Sequence, residues 1–469
     1  MPYIIIEDFR AGLDRRKLPV ASPQGSLQTL SNAHVTRGGE IEKRRAMVAK
    51  YALPESATHG LAAANGVLYT FGSFANPDVP EGVTYQQLAH PNGIDMVRLV
   101  AAEFYDGKIF AAAEYENGDV LHFYDGVRVA DWDAGSGATV AGAKAVALLT
   151  HDDKLYAIHQ SLLSFSGVAE PTKWQNSTGA GFKNMSNQSA GSETLTGLAR
   201  YQNLVAVFAR RNTQIWYLDP DPLQNVKRQT LANVGTFAPR SIISFGDVDV
   251  FFLSDSGVRS LRARDSSNQS GVNDVGTPID DYLLDYLSEL PDEDRAKAVA
   301  ALEPISGRYL LAVGSRVFVF SYFSSAKISA WSTYDLDFEV SDLVVDDGRV
   351  WARGDDTIYL LGGDDGKTYD GAAVEVELPY IDGRSLATFK EFTGLDVVCE
   401  GEWKIFVNTD PAQPDAESEI AIVNSTTLTR DAIGMVGHSP VVRLRFVSTA
   451  IGAAKLSKIV VHYSPAEAS

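Results

Sequence analysis

The stretch DGRVWARGDDTIYLLG, residues 347–362, decides the fold. Asp347-Gly348 is a favoured two-residue hairpin turn, RVWARG and TIYLLG read as short strands rich in β-branched and aromatic residues, and Asp355-Asp356 turns the chain between them. The same cadence runs outward along the chain. Asn65-Gly66 precedes VLYTFG, Asp106-Gly107 precedes KIFAAA, Asp152-Asp153 precedes KLYAIH, Gln202-Asn203 precedes LVAVFA, Gly246-Asp247 precedes VDVFFL and Ser306-Gly307 precedes RYLLAV. Further strands follow, such as TQIWYLD (213–219) and SRVFVFS (315–321). The turns recur every 41 to 50 residues, with a single gap of 60. A period of roughly 40–50 residues is that of propeller blades, small antiparallel sheets that bury their faces against their neighbours. Seven such units fit a closed ring better than a sandwich. The expected fold is therefore all-β, with a β-propeller of about seven blades, uncertain by one, over residues 58–370.

The long gap holds the one clear helical passage. In PIDDYLLDYLSEL (278–290), Ile279, Leu283, Leu284, Leu287 and Leu290 recur at three and four, and Pro291 ends the pattern before PDEDRAKAVAALE. A small helical insertion is expected over 262–300, packed on the propeller rim or held out towards a partner. Beyond the Asp-rich stretch 335–370 the rhythm changes to longer alternating strands: VEVEL (374–378), FTGLDVVCEG (392–401), EWKIFVNT (402–409), EIAIVNS (419–425), VVRLRFVS (441–448) and KLSKIVVHY (455–463). In VVRLRFV, Val442, Leu444 and Phe446 share one face and Arg443 and Arg445 the other, as in a half-buried strand. These strands predict a C-terminal β-sandwich over 371–469.

The chain has 469 residues, enough for two or three domains, and carries 41 Lys and Arg against 60 Asp and Glu, a net charge of −19. That balance argues against a protein that grips nucleic acid through its phosphates. The charge is uneven: residues 1–50 hold nine Lys and Arg against five acids. Residues 1–57 thus read as a basic, extended arm serving assembly, with Arg15, Arg16, Lys43, Arg44 and Arg45 assigned to contacts with a neighbouring subunit or a docked ring. The opening MPYIIIEDF has no basic region before a long apolar run, so neither a secretion signal nor a membrane anchor is expected.

Chemistry-bearing patterns fail one by one. LGGDDGKTYD (361–370) resembles a phosphate-binding loop, but leucine stands where its first glycine is needed and no helix is predicted to follow. SDSGVRSL (254–261) lacks the aromatic of a sialidase-type Asp box and reads as a β-turn. The eight histidines are dispersed, with His122 and His462 placed on strand surfaces, and no twelve-residue calcium loop occurs. The one cysteine, Cys399, alternates with Val397 and reads as a small core residue. No catalytic residue, cofactor site or metal site is assigned, and no enzymatic turnover is expected.

FRAGLDRRKLPVASPQGSLQTLSNAHVTRGGEIEKRRAM (9–47) resembles the N-terminal signature of tail nozzle proteins, also called tail hub, tail tubular protein B or packaged-DNA stabilisation proteins, of short-tailed double-stranded DNA bacteriophages. The resemblance rests on Gly12-Leu13-Asp14, on Leu27, Asn32 and Ala33, and on Gly38, Gly39, Ile41, Lys43, Arg44 and Arg45. Two further stretches are similar to that family: FFLSDSGVRSL (251–261) with VGTPIDDYL (275–283), and PYIDGRSLATFKEFTGLDVVCEGEWKIFVNTD (379–410). The resemblance implies a structural protein of the virion tail, made in the bacterial host's cytoplasm. It implies a homo-hexameric ring below the portal and adaptor (head-to-tail connector) ring, holding a needle or tip protein, and tailspikes or fibres in some members. Packaged DNA would pass through the lumen without sequence-specific binding. The alternative reading is a carbohydrate-binding or glycoside-hydrolysing propeller, for which Trp132, Trp174, Trp216, Trp331, Trp351 and Trp403 are available.

Overall fold

The computed structural model describes residues 2–135, 145–186, 193–246, 249–264, 269–428 and 433–465. The chain is mostly β and forms a β-propeller. The turns work as their residues predict. Asn65 and Gly66 sit at φ 51° and 78°, Asp106 and Gly107 at 45° and 75°, and Asp347 and Gly348 at 46° and 73°. Two consecutive positive φ values are what a tight hairpin with the right strand twist needs, and Asn, Asp and Gly reach them at least cost. Asp247, in the expected Gly246-Asp247 turn, lies outside the described residues.

Six small sheets stand as separate blades. The first is Gly60–Ala64, Val67–Gly72 and Val83–Gln87, and the second runs from Met96–Tyr105 to Val127–Arg128. The third runs from Ala147–His151 to Gly181–Asn184, the fourth from Leu195–Tyr201 to Val226–Ala232, and the fifth from Ile243–Phe245 to Gln269–Asn273. The last is Asp342–Asp346, Arg349–Gly354 and Thr357–Leu361, completed from outside by Met47–Ala52. The expected count of about seven is thus corrected by one. The meander Val299–Glu303, Arg308–Val313, Arg316–Phe323 and Ile328–Asp335, between the fifth and last blades in chain order, is no separate sheet. Its final strand continues through Thr29–Ser31 into the C-terminal sheet.

A buried carboxylate joins blades near the ring closure. Asp342, 1% exposed, accepts from Arg353 Nε at 2.6 Å and from Arg240, which enters from before the fifth blade. Arg353 also reaches the carbonyl of Thr58 at the start of the first blade, at 3.3 Å. Burial alone would raise the Asp342 pKa, but the two guanidiniums hold it below the usual carboxylate range.

The insertion is corrected in extent, and of its two expected placements it takes the packed one rather than being held out. Gly257–Arg264 and Gln269–Asn273 are blade strands, residues 265–268 lie outside the described residues, and the helices are Asp280–Ser288 and Asp292–Ala296. Ile279, Leu283 and Leu287 are buried against Phe251, Leu253, Leu311, Phe318 and Trp331. The apolar stripe therefore faces the seam between the fifth blade and the meander. Fully burying each such side chain contributes about 1.5–3 kcal/mol, which favours packing over projection.

In the C-terminal unit, the long strand Lys390–Asn408 passes through two layers. Its first half pairs with Ile433–Ser439 and Lys455–Pro465, and its second half with Ser418–Ser425 and Arg443–Ser448. The layers change over at Gly401, whose φ of 79° and close approach to the Ala453 carbonyl leave no room for a side chain. Both layers close on one core that includes Leu395, Trp403, Leu444, Phe446 and Ile459. Ile4, Phe9, Leu30 and Ile41 belong to the same core, so residues 1–57 are not a free arm. Tyr3–Ile6 and Ile41–Lys43 pair with Lys455–Pro465, and Thr29–Ser31 pairs with Val374–Glu377. The segment's many short extended pieces become strands because open sheet edges elsewhere in the chain accept them.

Candidate functional site

The five basic residues singled out in the sequence separate into two groups at the junction of propeller and sandwich. Lys43 ends the strand Ile41–Lys43 and is wholly buried. Its Nζ donates to the carbonyls of Asp370 and Ala450, both at 2.8 Å, and burial pushes its pKa down. Arg44 is 4% exposed and pairs with the Asp370 carboxylate at 2.8 Å. Its Nε donates to Asn32 Oδ1 at 2.9 Å, and it also reaches the carbonyl of Asp335 at 3.3 Å. Asn32 completes the knot from a left-handed backbone position, φ 52°. Its Nδ2 donates to the Ala373 carbonyl, and its Oδ1 accepts from the Asp335 backbone N–H. One cluster thus ties the basic segment to the meander and to the 370–373 connection.

The assignment of Lys43 and Arg44 to a neighbouring molecule is corrected accordingly, because their donors are spent inside the chain and no surface is left to meet a partner. Arg15, Arg16 and Arg45 remain accessible. Arg16 makes a two-point ion pair with Asp14, at 2.9 and 2.6 Å, and its side chain stays 53% exposed. Arg15 donates to the Gln28 carbonyl and lies 5.5 Å from the ring centre of Tyr282 on the helix Asp280–Ser288. Arg45 pairs with Glu42 at 3.1 Å and sits over the ring of Tyr369 at 4.4 Å. Gly12 explains the turn that opens the signature: at φ 60°, a Cβ there would meet the Trp331 carbonyl at 2.7 Å.

Beside the knot, a cleft of about 440 Å³ is lined by His34, Glu42, Arg45, Arg308 and Tyr334 among others. The Tyr334 hydroxyl lies 2.9 Å from His34 Nδ1 and accepts from Arg308 at 3.1 Å. Burial, then the charges of Arg308 and Arg45, hold the His34 pKa well below its ordinary value. The Tyr334 hydroxyl is thus held between the His34 imidazole and the Arg308 guanidinium.

Other sequence expectations meet the structure as follows. His122 is not on a surface: it is 1% exposed and stacked on Trp132 with ring centres 3.9 Å apart. A blade strand is covered on both faces by its neighbours, so a polar residue in its pattern does not imply solvent. His462 lies 3.0 Å from the Asp396 carboxylate and is partly buried. Cys399 is buried and its thiol is pushed up to about 11 by that burial. Arg443, expected on the outer face, is nearly buried but paired with Glu377 at 2.8 Å and Glu417 at 2.6 Å. Among the described residues, no three His, Cys, Asp or Glu side chains gather as a metal-holding group. The 361–370 loop leads into the strand Val374–Glu377, not a helix.

The blades and their closure define a β-propeller protein. No family model matches the chain, and no curated protein matches it in sequence. Similar solved structures include the extracellular domain of BT4673 from B. thetaiotaomicron, at 10% identity and TM-score 0.36, covering 80% of this chain and 47% of that one. YCF48 bound to D1 peptide is similar at 11% identity and TM-score 0.39, covering 67% and 97%. Luciferin-regenerating enzyme is similar at 7% identity and TM-score 0.34, covering 57% and 91%. This chain spans about half the length of the BT4673 domain.

Proposed function

We propose that the chain is a structural subunit of the tail of a short-tailed double-stranded DNA bacteriophage. Six copies would form a nozzle ring below the portal and adaptor, conduct and help retain packaged DNA, and hold the needle or tip or the tailspikes. The observation that carries this reading is the order of three family-like stretches, at 9–47, 251–283 and 379–410, across the chain. The work done by the first stretch supports it. Gly12, Asn32, Lys43 and Arg44 lock two β bodies together, and a fixed angle between them suits a load-bearing wall. The net charge of −19 suits a conduit, since phosphates slide past acidic walls without the cationic contacts that generate non-specific affinity.

Sheet edges suited to assembly are also present. Ser418–Ser425 and Ile433–Ser439 are each hydrogen-bonded to a named strand on one side only, and Ile422 and Val436 are 56% and 100% exposed. Neighbouring subunits would cover such edges. Among the described residues no helix is long and apolar enough to cross a membrane. The accessible cations Arg15, Arg16 and Arg45 are the contacts assigned to a neighbour or to the adaptor ring. Electron microscopy of the purified protein, alone and with its adaptor ring, tests the reading. Six-fold rings around a channel are expected, and a monomer under both conditions would overturn it. Arg15→Glu combined with Arg45→Glu is expected to leave the monomer's circular dichroism unchanged while blocking ring formation or docking.

A further inference from the structure

At one end of the ring-closing seam the last and first blades part to leave an open cleft of about 830 Å³. Lys50, Tyr51, Asn65, Asp346, Asp347 and Trp351 line it, together with Arg349, Leu360 and Asp364. Five of the chain's six tryptophans are buried to 2% exposure or less, and Trp351, which lines this cleft, is the exception. Its ring stacks, laterally offset, on that of Tyr51, 13° from parallel with centres at 6.1 Å, and both rings line the cleft. Both are backed by the apolar cluster of Leu53, Leu61, Leu68 and Ile358.

The polar groups around this surface differ in what they have left to give. Lys50 is held by both oxygens of Asp364, at 2.7 and 2.8 Å. Arg349 donates to the carbonyls of Leu361, Gly363 and Asp364. By contrast, Asn65 and Asp347, at the tips of two facing turns, make no side-chain hydrogen bond or ion pair among the described residues. Asp346 spends one oxygen on the Gly66 N–H at 3.0 Å. The cleft therefore offers an aromatic floor, free acceptors and a free amide, while its cations are already occupied.

We propose that this cleft binds a neutral carbohydrate chain. A pyranose ring carries one face of C–H groups, which suits an aromatic surface, and hydroxyls that donate to carboxylates and exchange hydrogen bonds with an amide. The carboxylates of Asp346 and Asp347, with the cations already occupied, disfavour an anionic sugar, and titration with tetramethylammonium separates a cationic ligand from a neutral one. The comparable cleft between the second and third blades, about 580 Å³, has no tryptophan, and its Tyr105 hydroxyl is spent on the Asp153 carbonyl. The site lies within one subunit and does not depend on the ring reading.

Isothermal titration calorimetry with maltohexaose, cellohexaose and N-acetylchitohexaose tests the proposal, with tetramethylammonium as the cationic comparison. Saturable binding of at least one oligosaccharide is expected. Trp351→Ala should weaken it by about tenfold or more, equivalent to ~1.4 kcal/mol. Asn65→Gly, which keeps the left-handed turn, and Asp347→Asn should each weaken it by less, with circular dichroism and oligomeric state unchanged. If Trp351→Ala fails to fold, those two turn variants carry the test. No saturable binding of any oligosaccharide, binding undiminished in the variants, or saturation by tetramethylammonium alone would overturn the proposal.

Discussion

The blade hairpins and the seams where the chain returns to itself are built on opposite economies. In the second blade, Arg98 pairs with Glu114, 16 residues away, at 2.7 Å, with Arg98 about half exposed and Glu114 partly so. At the junction, Lys43 reaches a carbonyl 407 residues away and Arg44 a carboxylate 326 away, and both cations are buried. Local pairs on hairpins lose little if broken, because water replaces the partner. Distant pairs at seams sit where water cannot follow, so each removed partner leaves a desolvated charge.

Asp342→Ala is the sharpest test of this contrast. It leaves Arg240 and Arg353 without their shared carboxylate, and a loss of about 3–5 kcal/mol in urea unfolding is expected. A loss below ~1 kcal/mol would break the distinction between seam and hairpin. Arg44→Met comes next at about 2–3 kcal/mol, since it removes the charged hydrogen bonds to Asn32 Oδ1, to the Asp335 carbonyl and to the Asp370 carboxylate. Limited proteolysis of that variant should first cut between the propeller and the C-terminal unit. Cleavage within the blades instead would place the weakness elsewhere.

The third test uses pH and sharpens the picture inside the blades. Among the described residues neither ring nitrogen of His122 has a hydrogen-bond partner, and its pKa is lowered to about 3 by burial and then by His159. Above about pH 6.5 both folded and unfolded chains hold it neutral, so it adds no pH dependence there. As pH falls from 6.5 towards 3, only the unfolded chain takes up the proton, and stability declines. Between pH 7.5 and 4.5 this single group should cost about 2–3 kcal/mol, and His122→Phe should lose that much less than the parent chain. Equal losses in the two proteins would refute the assignment. The smallest effect is expected for Arg98→Ala, within about 0.5 kcal/mol of the parent by urea unfolding.

These differences also explain which parts of the molecule were legible in its amino acids. Asn65-Gly66, Asp106-Gly107 and Asp347-Gly348 announce hairpins because a turn's backbone angles are chosen by the two residues in it. The helix Asp280–Ser288 was visible from its apolar spacing, but the direction of that stripe was not, because Phe251, Phe318 and Trp331 receive it from other elements. His122 was misplaced because alternation in a strand reports two faces without saying what covers each. Asp342 gave no signal at all, being one of 60 acids until folding brings Arg240 and Arg353 to it.

By itself, then, the order of residues determined the repeating hairpins, the all-β character and the change of pattern near residue 370. These depend on interactions within a few residues, where propensity and turn geometry act directly. Only the tertiary structure decided that Met47–Ala52 closes the last blade, that Tyr3–Ile6 and Ile41–Lys43 belong to the C-terminal sheet, and that Ile328–Asp335 merges a seventh meander into it. It also decided that Lys43 and Arg44 are internal while Arg15, Arg16 and Arg45 stay accessible. Sheet edges accept strands through backbone groups that every residue carries. The choice between distant partners is therefore made by the burial of side chains around them, which no local stretch encodes.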